Sequence, residues 1–162
     1  MATMTTNYAS KATLTWGMTS PSSDTTLLIG RESTAVDNQA VNKYLDVLIG
    51  GKFTLHATTA AVGVIEVWAY GSWDEGTTYT SDVTGSDAAL TLIAEIKALL
   101  KLVTVIPTAA VNSNIHNWGP FSLASVFGGV VPDQWGLWGV HDSGGALAGS
   151  VTEYQGIKFD SA

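Results

Sequence analysis

The chain has 162 residues and a net charge of −7, and its seven basic residues are scattered singly. That balance excludes a nucleic-acid binder, which needs a basic footprint to release counterions from phosphates, and it disfavours an anionic membrane surface. The absence of cysteine excludes disulfides, thiolate nucleophiles and Cys-based zinc sites, and fits a reducing cytosol.

The length predicts one domain spanning 1–162. Hydrophobic residues make up 46% and charged residues 13%, against about a quarter charged in an average chain. The polar share is Thr, Ser, Asn and Gly instead, which fits strands joined by uncharged turns. Sparse surface charge also predicts that much of the surface is covered in use, by copies of the chain or by a partner. The N-terminal MATMTTNYASKATLTW has no basic stretch followed by an apolar core, so no signal peptide is expected. The longest apolar run is far below the roughly 18 residues of a membrane span.

In chain order, residues 1–9 read as a short flexible arm. Residues 11–18 alternate as a strand, with Ala12, Leu14, Trp16 and Met18 on one face and Lys11, Thr13 and Thr15 on the other. Residues 27–36 read as a weakly pairing segment. Over 44–55, Leu45, Val47, Ile49, Phe53 and Leu55 share a face, and Gly50-Gly51 marks a bulge or a close backbone approach. Over 62–72, Ile65, Val67 and Ala69 oppose Glu66, Trp68 and Tyr70. The second of these faces is suited to a wet interface or to cover by a loop.

Residues 73–88 read as a loop. Asp87 is placed to cap a short helix over 88–98, where Leu90, Ile93, Ala94 and Lys97 fall at helical spacing. A strand over 99–106 and a loop over 108–117 follow. Ser122 caps one helical turn, Leu123–Phe127, which Gly128-Gly129 stops. Strands over 134–141 and 151–159 flank a Gly-rich turn. About eight strands with turn signals and one or two short helices predict an all-β fold, an antiparallel β-sandwich of jelly-roll type.

Among the motifs, Asp142-Ser143-Gly144-Gly145 resembles the nucleophile segment of chymotrypsin-like serine proteases, where glycines free backbone N–H groups for an oxyanion hole. His56, then Asp74 or Asp82, then Ser143 follow the required chain order. Against it, His56 precedes the Thr-Ala-Ala run instead of following it, and His141 stands where that family has Gly. The plainer reading is a Gly-rich turn in which Asp142 and Ser143 bond nearby backbone.

His56, His116 and His141 lie at no metal-ligand spacing, and the Asp82/Asp87 loop lacks the calcium-loop pattern. Asp74 and Glu75 are adjacent, so an extended chain points them apart, unlike a glycosidase pair. No cofactor, metal or catalytic residue is expected, and the chain reads as a non-enzyme. Trp68, Trp73, Trp118, Trp135 and Trp138 fit either a sugar-stacking platform or, better, core and interface packing.

Four segments resemble a family of small tailed-bacteriophage virion proteins described as structural, decoration or capsid cement proteins. They are residues 30–53, 63–76 (GVIEVWAYGSWDEG), 118–147 and 153–159 (EYQGIKF). The block GPFSLASVFGG and the following His-Asp-Ser-Gly are the most specific parts. The position of HDSGG often reads His-Asn-Thr-Gly in such proteins, so no serine is required there.

The resemblance implies a β-sandwich that decorates the capsid surface of a virion and is made in the bacterial host cytoplasm. Its partners would be the major capsid protein and copies of itself, with a homotrimer at a three-fold position expected. Neither nucleic acid nor membrane is an expected partner. The residues expected to make contacts are Trp68, Tyr70, Trp73, Trp118 and Trp138. A carbohydrate- or receptor-binding tail module is the alternative, and a small serine hydrolase using Ser143 stands behind it.

Overall fold

The structure, a computed structural model, describes residues 4–80 and 82–161. It is an antiparallel β-sandwich, as the alternation predicts. One sheet has five strands and the other six, and every strand pairing within each sheet is antiparallel.

The first sheet contains β1 (Met4–Tyr8), β2 (Ala12–Thr13), β5 (Asp46–Thr54), β9 (Ile115–Ser122) and β11 (Gly149–Ser161). Its order is β1-β11-β5-β9, with β2 also on β11. The second contains β3 (Ile29–Glu32), β4 (Val36–Asp37), β6 (Gly63–Ser72), β7 (Ala88–Thr91), β8 (Lys101–Thr108) and β10 (Gln134–His141). Its order is β7-β3-β10-β6-β8, with β4 also on β10. Two single helical turns, α1 (Ala94–Lys97) and α2 (Leu123–Val126), complete it with a π-type turn over Asn38–Asn42. Ser122 caps α2 by accepting from Ser125 N–H, as its position predicts.

The inner faces build the main core. Val47, Ile49 and Phe53 of β5 meet Ile65, Val67 and Ala69 of β6 and Trp135 and Leu137 of β10, all fully buried. Only Ala12 and Thr13 of the strand expected over 11–18 pair as strand. The rest straps one side of the sandwich. Leu14 N–H donates to the Thr152 carbonyl in one sheet, and Thr34 N–H donates to Thr15 while Trp16 Nε1 donates to Arg31 in the other. Leu14, Trp16 and Met18 are buried there and Ala12 is half-buried, so the apolar face points inward without a continuous ladder.

The outer face of the second sheet carries another core. Tyr70, Trp138 and Val140 are covered by Val83, Leu92 and Leu100 of the 73–100 segment. That segment is not the helix expected over 88–98. Ala88–Thr91 pairs with Ile29–Glu32 as a strand, and only Ala94–Lys97 is helical.

The weakly pairing 27–36 segment therefore sits inside the second sheet. The turn that leads into it is fastened by Asp24, which accepts from the N–H groups of Thr26, Leu28 and Ile29 and from the Thr26 hydroxyl. Burial alone would raise its pKa, but these donors overcome that and hold it at about 2, below the ordinary 3.8. A carboxylate depressed by folding contributes stability above its unfolded pKa and loses it as pH falls through the folded one. Asp24→Asn is therefore expected to flatten the stability profile between about pH 4 and pH 2 in acid titrations followed by tryptophan fluorescence.

Candidate functional site

The two outer faces differ. The 73–100 segment roofs the second sheet, whereas no segment of the described chain roofs the first. A groove of about 530 Å³ runs along this open face, lined by Leu48, Gly50, Lys52, Pro120, Val151 and Gln155 among others.

The groove exists because β5 and β9 approach too closely for side chains. A Cβ on Gly50 would lie 2.8 Å from the Trp118 carbonyl oxygen, and one on Gly119 would lie 2.5 Å from that of Ile49. The ladder shifts register between Ile49 and Gly51, so the Gly-Gly pair is both a bulge and a close approach. The rim carries both signs of charge. Lys11 Nζ lies 3.7 Å from Glu153 Oε2, with both side chains largely exposed, a pair of little energetic worth.

Two aromatic residues border the groove through their backbone, with rings turned into the core. Trp118 stacks on Phe53 with centroids 5.8 Å apart, and Tyr154 meets Trp135 edge-on at 5.3 Å. The floor is therefore glycine and aliphatic, with amide and charged groups around it. Such a surface suits an extended chain or a flat protein face better than a stacked sugar ring.

Beyond the groove, the same face continues onto a two-stranded ribbon. β5 last pairs with β11 at Asp46 and Ile157, while β1 pairs with β11 from Tyr8–Ile157 out to Met4–Ser161. Pairing places Thr6 beside Phe159 and Tyr8 beside Ile157, so alternate positions put these apolar residues on one face. Met4 is 69% exposed, Tyr8 57% and Phe159 52%. The arm expected to be flexible over 1–9 is thus a strand from Met4 onward, because the β11 edge supplies its ladder. Residues 1–3 lie outside the described residues.

The five expected contact residues do not share a face. Tyr70 and Trp138 are fully buried in the second core. The Tyr70 hydroxyl donates to the Ser33 carbonyl at 2.5 Å, and Trp138 Nε1 donates to Leu90. Trp118 is buried in the main core. Trp68 is half-buried under Lys97, whose Nζ sits 5.2 Å from its ring centroid and 2.5 Å from Glu66 Oε2. Only Trp73, 59% exposed, stands free for a partner. The correction has a simple cause. Alternation assigns a residue to a face, and the 73–100 segment then covers the face that carries Trp68, Tyr70 and Trp138. Of the terminal ribbon, the strand expected over 151–159 is present as part of β11, whereas its partner β1 lies where a flexible arm is expected.

The protease-like segment is assembled differently from a triad. Ser143 Oγ lies 3.0 Å from His141 Nδ1, and His141 Nε2 lies 3.2 Å from the Pro21 carbonyl. The carbonyl can only accept, so Nε2 carries the proton and Nδ1 accepts from the Ser143 hydroxyl. Both residues are fully buried. Burial pushes the His141 pKa down, against the Pro21 contact and the Asp142 charge. His56 Nδ1 instead accepts from Thr58 and Thr59 N–H, and Asp74 is engaged by Ser72 and Thr78. The pair thus fastens a turn, with Asp142 accepting from Val64 N–H.

Among the described residues, no three His, Cys, Asp or Glu side chains cluster as a metal site, and no helix is long and apolar enough to cross a membrane. No family model matches the chain, and no curated protein and no solved structure matches it.

Proposed function

We propose that this chain is a non-enzymatic structural protein that decorates a bacteriophage capsid, docking through the open face of its first sheet. The observation that carries the reading is the asymmetry of the sandwich. One outer face has its own second core, while the other keeps an uncovered groove that runs into an apolar ribbon. The sparse charge of the chain and its likeness to small virion proteins support the same reading.

The mechanism is non-covalent clamping. The face lies across neighbouring major capsid subunits, and copies of the chain repeat the contact over the shell. A stable interface of standard size buries about 1,600 Å². Repetition on a symmetric surface makes shell opening break many such contacts together. The protein is made in the host cytoplasm and resides on the virion surface.

The test is to band intact particles from a producing lysate and count copies of the chain per major shell subunit by quantitative mass spectrometry. A simple lattice ratio is expected. A handful of copies would move the chain to the tail or a vertex, and complete absence would overturn the virion reading. Val151→Glu, which places a charge in the groove at a 41% exposed position, is expected to lower particle occupancy at least about tenfold without lowering the melting temperature.

A further inference from the structure

The four sheet edges are not alike. Exposed edges are normally blunted by charge, proline, a bulge or shortness. β7 is four residues long. β8 carries Lys101 and Pro107. β9 carries Pro120 and faces a ladder with a register shift. β1, Met4-Thr5-Thr6-Asn7-Tyr8, has no charge and no proline, pairs in unbroken register and is exposed at every position.

We propose that β1 pairs antiparallel with β1 of a second copy of this chain, about a two-fold axis at Thr6. The contact joins the two first sheets into one continuous sheet. Backbone geometry supports it. Ala9 N–H donates to the Gly156 carbonyl, which makes Ala9 and Gly156 a hydrogen-bonded pair. Antiparallel ladders alternate, so Thr5 and Asn7 bond to β11, while the N–H and C=O of Met4, Thr6 and Tyr8 point away from it. A two-fold at Thr6 sets Thr6 against its copy and Met4 against the copy's Tyr8. All three outward residues then fall in hydrogen-bonded positions, giving about six bonds between the copies.

The side chains agree with that register. Met4 meets an aromatic ring, a favourable sulfur contact, and the apolar positions of both ribbons merge into one surface. Across the new seam Asn7 stands opposite the copy's Thr5, two neutral polar residues, by the pairing within each copy. β1 itself carries no charged side chain, so no like charges meet across the contact.

Stability argues the same way. Past Ile157 each ribbon has two strands, which is marginal in water, whereas three or more strands with an apolar face hold together. The joined ribbon has four. Such a contact uses the same patch on both copies and closes as a dimer, whereas a three-fold ring needs a head-to-tail contact. The inference does not depend on the capsid reading, since it is read on the purified chain.

Sedimentation equilibrium of the full chain, from about 1 to 100 μM, is expected to give the dimer mass. Thr6→Pro deletes an N–H that β11 does not use, and is expected to give the monomer mass with unchanged far-UV circular dichroism. Thr6→Lys sets like charges opposite each other and is expected to give monomers at low salt. In a chain without cysteine, Thr6→Cys gives a sharper reading. Cα atoms of a hydrogen-bonded pair lie about 5.5 Å apart, within disulfide reach, so mild oxidation is expected to link two copies. Thr5→Cys, offset by two residues from its copy, is expected to stay unlinked. A native chain that is monomeric throughout, or a dimer that survives both Thr6→Pro and Thr6→Lys, would overturn the proposal.

Discussion

Trp138→Ala is expected to destabilise the fold by about 3–5 kcal/mol, the range for deleting a buried large aromatic side chain. Trp138 is fully buried and forms the centre of the second core, among Tyr70, Val83, Leu92, Leu100 and Val140. Its Nε1 donates to the Leu90 carbonyl at 3.2 Å, and Lys97 Nζ sits 5.7 Å from its ring centroid. Truncation leaves a cavity between the sheet and its roof and removes the donor to the part-buried Leu90 carbonyl. Neighbouring Gly30 makes room for this ring, since a Cβ there would come within 2.6 Å of it. The site is therefore shaped around tryptophan and collapses poorly. Chemical denaturation followed by circular dichroism reads the loss directly. Trp73→Ala, at an exposed loop position, is expected within about 0.5 kcal/mol of the native chain. Equal, small effects of the two substitutions would mean that the 73–100 segment is no part of the folded core.

Glu32→Ala is expected to cost about 3 kcal/mol or more, since bonds to a charged acceptor are worth about 1.5–3 kcal/mol each. Glu32 is 1% exposed. Its carboxylate accepts from Thr84 N–H at 2.9 Å, the Thr84 hydroxyl at 2.9 Å and Gly85 N–H at 3.0 Å. It thereby ties the roof to β3. Arg31, one residue earlier, ties the same roof to the strap, through Nε to Asp87 Oδ1 at 2.5 Å while Gly17 N–H donates to that oxygen. Removing the carboxylate takes away the acceptor that holds Thr84 and Gly85 against β3. The expected signature is local. Amide hydrogens in 79–92 should exchange faster in Glu32→Ala, while those of β5 and β11 keep their protection. Glu32→Gln keeps an acceptor oxygen but turns an amide toward one donor, so it is expected to fall between the two. Uniformly faster exchange along the whole chain would mean that the roof and the sandwich unfold as one unit.

These two residues mark the boundary of what the sequence conveys. Alternation placed Val47, Ile49 and Phe53 on the inner face of β5, and Ile65, Val67 and Ala69 on that of β6. It also set the bounds of β10, because side-chain direction in a strand has a period of two and is local. The Ser122 cap and the Gly50-Gly51 bulge were equally local, resting on one hydroxyl and two missing Cβ atoms. The 88–98 segment read as a helix because Leu90, Ile93, Ala94 and Lys97 fit a helical stripe. Ala88–Thr91 became a strand because β3, distant in sequence, offered an edge ladder and an apolar face to cover. The N-terminal arm became β1 for a like reason, since only the overhanging end of β11 gives it partners.

The candidate site was the least legible part. Sequence pointed to the aromatic residues, and the fold buried Tyr70, Trp118 and Trp138 while leaving Met4, Tyr8 and Phe159 outside. By itself, the sequence determined the fold class, the core face of the long strands and the shortage of charge. Tertiary structure alone decided which sheet face is roofed and which stays open. Period and propensity act over a few residues, whereas covering a face depends on a segment that arrives from far along the chain.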